Sequence, residues 1–158
     1  MHASNLVDLV LVRHGIAVER IDGRDDPERP LTRRGLQRTE QVMSTLARSG
    51  LNVDRLITSS YRRALQTAQI ALQAGLAPLL ETDERLQPGG DVLGLLETLA
   101  GSVVLVGHEP DLGDLACDLL GWPRGGLVLK KAGVVEMQQT NGRWQLRALL
   151  RPGLLSAD

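Results

Sequence analysis

The stretch Leu9-Val10-Leu11-Val12-Arg13-His14-Gly15 (LVLVRHG) decides the expected fold of this chain. Its four consecutive apolar residues are typical of a strand that is buried on both faces, as in a parallel sheet. The strand should end at Arg13, because an arginine is rarely buried without a partner. Gly15 permits a sharp turn or a close backbone approach to a ligand. Since ligands of open α/β sheets bind beyond the carboxyl ends of the strands, this stretch predicts a site there. The alternative is a strand end with a solvated Arg13 and a His14 that is hydrogen-bonded to backbone.

Strand and helix patterns alternate along the rest of the chain. Strands are predicted at residues 9–12, 53–59, 78–82 and 102–108. Amphipathic helical patterns lie between and after them, and Asn141-Gly142 is a strong hairpin signal between residues 134–137 and 144–149. We therefore predict an α/β protein, a three-layer α/β/α sandwich with a mostly parallel central sheet and a C-terminal β-hairpin.

Local signals place the ends of the predicted helices. Thr32 and Asp91 have side chains suited to capping a helix N-terminus, and Pro110 suits the first turn of the fourth helix. Gly50 and Gly75 suit helix ends. The chain from Pro152 onward has no such signal, and we expect it to be frayed.

Length and composition narrow the class of protein. The 158 residues predict a single domain over residues 1–158 with a core of about 7–150. A net charge of −1 and the lack of a basic run argue against nucleic acid and membrane partners. Residues 1–5 do not resemble a signal peptide, and no apolar stretch approaches the roughly 20 residues of a membrane span. With Cys117 as its single cysteine, the chain fits a reducing compartment, and we predict a cytoplasmic protein.

Unusual polar residues follow three of the predicted strands. They are Arg13 and His14, then residues 59–63 (SSYRR), then His108. Because the carboxyl ends of parallel strands share one edge of a sheet, these groups can converge, together with the N-termini of two following helices. A cleft with two arginines and two histidines would be strongly positive. The ligand that matches is a phosphoryl group, whose oxygens pair with arginine in a planar, bidentate way.

Three motifs carry a resemblance to a known family. Residues 12–15 (VRHG), 59–68 (SSYRRALQTA) and 105–112 (LVGHEPDL), in this order, resemble the histidine phosphatase superfamily, which has the phosphoglycerate mutase-like fold. Residues 29–35 (RPLTRRG) and the short length are similar to its SixA-like group of phosphohistidine phosphatases. The longer relatives carry insertions over the site for which this chain has no room, so the site should be open.

The resemblance implies roles for four residues and no cofactor or metal. His14 is the implied nucleophile, which becomes phosphorylated, and Arg13 and Arg63 hold the phosphoryl oxygens. His108 donates to the phosphoryl group from the opposite side. Arg63 is chosen over Arg62 because the family arginine directly precedes the alanine of the second motif.

The proton donor is less well defined by the sequence. Relatives that act on oxygen esters use a carboxylate to protonate the leaving group, and Glu84 lies in a loop that can supply one. An exposed loop charge is at least as good an interpretation of Glu84. A phosphohistidine substrate would demand less of an acid, because imidazole leaves phosphorus more readily than an alkoxide does.

Several polar or atypical residues have no assigned role. The charged segment 19–34 is interpreted as a surface loop whose charges either face water, which is the favoured interpretation, or form a rim around the site. The same two interpretations apply to Lys130-Lys131, and solvation is again favoured. Ile16 and Ser60 depart from the family pattern, in which a polar residue and a proline are common at these positions.

The sequence is compatible with four functions. The first is a phosphatase for phosphohistidine in a protein partner, such as a histidine-phosphorylated signalling protein. The second is a phosphomonoesterase for small phosphate esters, and the third is a non-catalytic phosphate-binding adaptor. The fourth, a metal hydrolase using His14, His108, Glu109 and Asp111, is the weakest, because two arginines would repel a cation and no usual ligand spacing is present.

Overall fold

Six strands and four helices make up residues 5–155, the part of the chain that the computed structural model describes. The strands are β1 (Asn5–Arg13), β2 (Arg55–Thr58), β3 (Leu80–Thr82), β4 (Ala100–Gly107), β5 (Val134–Thr140) and β6 (Arg143–Leu150). The helices are α1 (Arg33–Arg48), α2 (Arg62–Gln73), α3 (Val92–Glu97) and α4 (Asp111–Leu120). Within these described residues, no helix is long and apolar enough to cross a membrane. The expectation about a signal peptide falls on residues 1–4, outside the described residues.

The strands form one sheet in the order β3-β2-β4-β1-β5-β6. The pairs β2–β3, β2–β4 and β1–β4 are parallel, whereas β5 is antiparallel to both β1 and β6. The chain leaves β1 toward β2 and leaves β4 toward β5, in opposite directions across the sheet. Such a reversal between adjacent strands opens a crevice at their carboxyl ends, where ligands of open α/β sheets bind.

Alternation along β1 creates the two apolar layers. Leu9 and Leu11 lie in a core cluster with residues of α3 and α4, while Val10 and Val12 lie in a second cluster with residues of α1 and α2. All four side chains are fully buried. Successive side chains of a strand point to opposite faces, so the apolar run LVLV supplies both layers at once. The predicted three-layer sandwich is confirmed.

The predicted helix caps and the hairpin are present. The Thr32 Oγ1 atom accepts a hydrogen bond from the Gly35 N–H at 2.9 Å, and an Asp91 carboxylate oxygen accepts one from Gly94 at 3.0 Å. Asn141 and Gly142 both have positive φ angles, 53° and 75°, which a two-residue turn between β5 and β6 requires.

The expectation of a frayed C-terminal tail is wrong for residues 152–155. Pro152 is buried and begins a short 3-10 turn (Pro152–Leu154), and Leu155 packs against the apolar cluster on the α1 side of the sheet. Leu6 is also buried, so the packed core extends beyond residues 7–150 at both ends. The local sequence did not predict this turn, because the segment is held in place by packing against residues that are distant in the chain. Residues 156–158 lie outside the described part.

Gly35→Ala should destabilise the protein although alanine favours helix by about 1 kcal/mol. A Cβ at this position of α1 would overlap the backbone carbonyl oxygen of Ile16, which cannot move cheaply. We expect the free energy of unfolding in urea to fall by about 1–3 kcal/mol. Gly153→Ala is the control, because no heavy atom lies within 4 Å of the added Cβ. Equal stability of the two variants would contradict the close packing of α1 on Ile16.

Candidate active site

Strand register brings the predicted site residues together. Arg13 pairs with Gly107 across β1 and β4, and the His14 N–H donates to the Gly107 carbonyl at 3.0 Å. The imidazole rings of His14 and His108 therefore lie side by side, with centroids 5.3 Å apart. Ser59 follows β2 and donates its backbone N–H to the Val106 carbonyl at 3.0 Å, so the end of β2 lies at the same edge as the ends of β1 and β4.

His14 is a neutral imidazole with one nitrogen available for chemistry. Its side chain is buried, and its Nδ1 lies 2.7 Å from the Gly15 carbonyl oxygen, which can only accept. The Nδ1 atom therefore carries the proton, and Nε2 accepts from the Arg63 Nε–H at 3.2 Å. Burial lowers the pKa of His14 to about 3, opposed by the Gly15 hydrogen bond and helped by His108, Arg63 and Arg13. The lone pair of Nε2 consequently faces the guanidinium of Arg63.

The guanidinium of Arg63 is the central donor of the site. Besides its bond to His14, its Nη2 donates to an Asp25 carboxylate oxygen at 3.0 Å and lies 3.4 Å from His108 Nδ1. The group also lies over the ring of Tyr61, 5.1 Å from its centroid, in a cation–π contact. Arg63 is the second residue of α2, after Arg62, and of these two arginines it is the buried one.

Two buried guanidinium N–H groups have no hydrogen-bond partner within residues 5–155. They are Nη1 of Arg63 and Nε of Arg13, whose Nη1 donates to the Leu129 carbonyl at 3.0 Å. An unsatisfied buried donor costs about 1–3 kcal/mol, more when charged. Burial also lowers the pKa of both arginines, although neither approaches neutrality at pH 7. An anion in the pocket would satisfy both donors.

His108 is the second neutral histidine. Its Nδ1 faces Arg63, which can only donate, so its Nε2 carries the proton and donates to the Ser59 hydroxyl at 2.9 Å. Burial, with the charge of Arg63 next in size, lowers the pKa of His108 to about 4, while Asp25 opposes the shift. Tyr61 packs edge-on against the ring, with centroids 5.3 Å apart.

All four residues predicted for catalysis line one cavity of about 470 Å³. The other lining residues are Ala17, Glu19, Arg20, Asp25, Arg29, Pro88, Glu109 and Lys131. The crevice at the carboxyl ends of β1 and β4 is thus a pocket with a positive floor. Lys131 lies at its rim and, like Lys130, is exposed.

The solvation interpretation of segment 19–34 is wrong for Asp25 and Arg29. Asp25 forms ion pairs with both Arg63 and Arg29, each at 3.0 Å, and both residues line the pocket. Partial burial alone would raise the pKa of Asp25, but hydrogen bonds from Arg29 and Arg63 lower it. The sequence signal for this ion pair was weak, because it consists only of the spacing of four residues between Asp25 and Arg29.

Two further side chains of the second motif, a hydroxyl and an amide, connect the segments of the site by hydrogen bonds. The sequence did not predict these contacts. Thr67 Oγ1 accepts from the Gly15 N–H at 3.0 Å and donates to the Arg63 carbonyl at 2.8 Å. Gln66 accepts from the Leu31 N–H at 2.7 Å. Their positions inside residues 59–68 indicate that the motif carries structural residues as well as Arg63.

Glu84 does not lie among the described residues that line the pocket. It is exposed and begins a short 3-10 turn (Glu84–Leu86). Its role as proton donor remains a prediction. The departure at Ser60 has a local consequence, since its hydroxyl accepts from Gln87 Nε2 at 2.9 Å.

The carboxylates of the metal-hydrolase alternative are engaged elsewhere. Both oxygens of Glu109 accept backbone N–H bonds, from Gly113 and Leu129, and Asp111 accepts one from Gly89 at 2.8 Å. Across residues 5–155, no group of three or more His, Cys, Asp or Glu side chains is placed to hold a metal ion. The described residues therefore give no support to metal chemistry at this site.

Comparison with known families decides the family of the chain. Residues 9–95 match the model of the histidine phosphatase superfamily, branch 1. The chain belongs to the histidine phosphatase superfamily. Membership confirms the predicted enzyme class, a phosphatase. The matched residues contain the first two motifs, whereas His108 lies beyond them.

Relatives of this histidine phosphatase share its length and its fold. An uncharacterized protein of the cyanobacterium Picosynechococcus is 37% identical over 148 residues, which cover 88% of this chain and 89% of that protein. A structure from Agrobacterium tumefaciens assigned as the phosphohistidine phosphatase SixA has a TM-score of 0.82 at 24% identity and covers 94% of this chain and 100% of its own. The protein histidine phosphatase SixA complexed with tungstate has a TM-score of 0.79 at 24% identity, covering 94% and 99%. The α-ribazole phosphatase of Shigella flexneri has a TM-score of 0.71 at 16% identity, covering 92% and 96%. At these identities the structures establish a shared fold.

The two buried histidines should make the protein less stable in mild acid. Their pKa values of about 3 and about 4 lie below the ordinary 6.5, so below pH 6.5 the unfolded chain takes up protons that the folded chain refuses. The stability is therefore fully retained above pH 6.5, the pKa of a histidine in the unfolded chain, and is lost as the pH falls below it. Between about pH 6 and pH 5 we expect a loss of about 2 kcal/mol for both residues together.

Urea titrations at several pH values measure this loss, and a His14→Asn/His108→Asn variant should show a much flatter dependence. A profile as steep in the variant as in the wild type would assign the acid sensitivity to other groups.

Removing the charge of Asp25 should strengthen the binding of inorganic phosphate. The carboxylate repels an anion in the pocket and accepts a hydrogen bond from Nη2 of Arg63, which is then not available to the anion. We expect Asp25→Asn to lower the dissociation constant about fivefold, as for the loss of one nearby like charge. Asp26→Asn is the control, since it makes the same change at an exposed neighbouring residue. Calorimetry measures both constants, and weaker binding in Asp25→Asn would show that the carboxylate mainly orients Arg63.

Proposed function

We propose that this protein removes phosphoryl groups through a covalent phosphohistidine at His14, and that its substrate is phosphohistidine in a protein partner. The observation that carries the proposal is the neutral His14, whose Nε2 lone pair accepts a hydrogen bond from the buried Arg63 in a cavity that Arg13 also lines. A neutral imidazole is the nucleophilic form, and the unsatisfied guanidinium donors match a phosphoryl group.

The first step is attack of His14 Nε2 on phosphorus. The phosphorus–nitrogen bond of the substrate breaks as the new one forms, and the leaving imidazole takes up a proton from solvent water. The Arg63 Nε–H, which donates to His14 Nε2 in the free protein, is released to a phosphoryl oxygen. Arg13 and Arg63 offset the charge on the three oxygens in the transition state. In the second step water attacks the phosphohistidine, which yields phosphate and restores His14.

His108 supports this step once the phosphoryl group is bound. In the free protein its Nδ1 is unprotonated, because the pKa is lowered to about 4. A dianion within a few ångströms favours the charged form of a histidine. The protonated Nδ1 then donates to a phosphoryl oxygen, while Nε2 keeps its bond to the Ser59 hydroxyl.

Two of the three carboxylates that line the pocket are engaged in hydrogen bonds, which favours a phosphohistidine substrate over an ester. Asp25 is bound by Arg29 and Arg63, and hydrogen bonds from them lower its pKa. Glu109 has its pKa raised by burial, but both of its oxygens accept backbone hydrogen bonds. Neither is free to protonate a leaving alkoxide, whereas imidazole needs less assistance. The shared fold with the tungstate complex of the protein histidine phosphatase SixA supports the same substrate class.

A second candidate function rests on Glu19. This exposed carboxylate lines the pocket and is the group best placed to protonate the leaving oxygen of a small phosphate ester. The site would then be that of a phosphomonoesterase. A phosphate-binding adaptor without turnover would need the same donors but no nucleophile.

A labelled phosphohistidine substrate should leave an acid-labile phosphoryl group on His14 after rapid quenching. Arg63→Ala should lower kcat/KM about 10²–10³-fold, because it removes a donor to the transition state. The matched control is Arg62→Ala, an exposed neighbour whose loss should change kcat/KM less than about twofold.

The result that would contradict the proposal is turnover that survives in His14→Ala. Phosphate binding without a trapped intermediate would favour the adaptor. A panel of sugar phosphates compared with a histidine-phosphorylated protein separates the substrate classes, and a large preference for the esters would favour the phosphomonoesterase.

A further inference from the structure

A second groove adjoins the catalytic pocket and shares Arg13 and Lys131 with it. The groove measures about 640 Å³ and lies between the first turns of α1, the residues 130–131 and the C-terminal 3-10 turn. We call this cavity the basic groove. Besides Arg13, five cationic residues line it: Arg34, Arg38, Lys130, Lys131 and Arg151. No aspartate or glutamate lies among the described residues that line it.

The charges of the basic groove are uncompensated. Within residues 5–155, none of its five cationic side chains forms an ion pair or a side-chain hydrogen bond. Elsewhere on the surface, Arg55, Arg85 and Arg124 each pair with a carboxylate within 3 Å. Exposed arginines without an ion pair among the described residues, such as Arg48 and Arg147, also occur elsewhere, but the groove gathers five unpaired cations around one cavity beside the active site of a protein of net charge −1.

Helix stability does not account for this arrangement. Arg34 lies in the first turn of α1, where the positive end of the helix dipole disfavours cations, and this turn contains no acidic residue. Arg38 follows one turn later, and like charges four residues apart repel each other. The two arginines are unfavourable for the isolated helix, and a negatively charged ligand in the groove would offset that cost.

We propose that the basic groove docks an acidic surface of the phosphorylated protein whose phosphohistidine enters the pocket. The inference rests on the proposed function and adds the charge of the partner to it. Because Arg13 and Lys131 border both cavities, a partner that fills the pocket has its neighbouring side chains over the groove. Carboxylates there would meet cations supplied by three separate segments of the chain.

The dimensions and the apolar residues of the groove favour a protein over a small anion. The catalytic pocket holds buried arginines, as a single phosphoryl group requires, whereas Arg34, Lys130 and Arg151 are exposed and spread over a larger cavity. Leu154 is 68% exposed at the groove, and the half-buried Ile16 also lines it. Apolar contacts surrounded by charged side chains are the usual composition of a protein interface.

The test compares two peptides that each carry one phosphohistidine, flanked by glutamates in one and by glutamines in the other. At low ionic strength we expect the wild-type protein to prefer the glutamate peptide about tenfold in kcat/KM. In Arg34→Gln/Arg38→Gln this ratio should fall to about two or less, and added salt should lower the wild-type ratio in the same way.

The matched control is Arg48→Gln/Arg147→Gln. It removes the same two charges from exposed positions on α1 and β6 that line neither cavity, and it should keep the tenfold preference. The same peptides with a non-hydrolysable phosphohistidine analogue give dissociation constants by fluorescence anisotropy, so the groove is tested even in the absence of turnover.

A wild-type ratio near one, or a ratio that survives in Arg34→Gln/Arg38→Gln, would overturn the docking surface. Turnover of a small phosphoramidate shows separately whether the proposed function holds. Competition experiments displace the labelled glutamate peptide with unlabelled glutamate peptide, a short single-stranded oligonucleotide or vesicles of phosphatidylserine. If the oligonucleotide or the vesicles compete more strongly than the unlabelled peptide, the groove serves another anionic partner and the proposal is wrong.

Discussion

The hydrogen bond from the Arg63 guanidinium to Nε2 of His14 is the interaction on which the rest of the site depends. It places a permanent charge beside an imidazole that burial keeps neutral, and so it fixes which nitrogen carries the lone pair. The bond exists because β2 and β1 lie on either side of β4 in one parallel register, which brings the start of α2 to the end of β1. Thr67 then locks both partners by bridging Gly15 to the Arg63 carbonyl.

The fold and the core of the site could be predicted because their signals are local in sequence. The apolar run of β1, the caps Thr32 and Asp91 and the Asn141-Gly142 turn each specify their own element, and parallel strands then bring their ends together. The choice between Arg62 and Arg63 came from the family motif, and burial agrees with it. The catalytic roles of these residues remain proposals.

Other features could not be predicted, because they arise between segments that are far apart in the chain. Asp25 looks like any loop carboxylate until the fold brings it to Arg63, 38 residues away. Pro152 is buried only because the strand before it delivers the tail to the apolar cluster beside α1. The basic groove collects its cations from three regions, none of which is a basic run, so a net charge of −1 conceals it.

Burial divides the positive charge of this protein into two kinds. Arg13 and Arg63 each have a buried N–H group without a partner among the described residues, which costs free energy that a bound anion would recover. Exposed cations such as Arg34 and Arg151 are hydrated, and salt screens them over about 8–10 Å. In the proposed function, the buried donors would therefore set the strength and geometry of phosphoryl binding, whereas the exposed cations would set encounter and the choice of partner. Because Arg13 and Lys131 border both cavities, a bulky anionic substrate bound as proposed would engage both kinds of charge at once, whereas a small one would engage only the first.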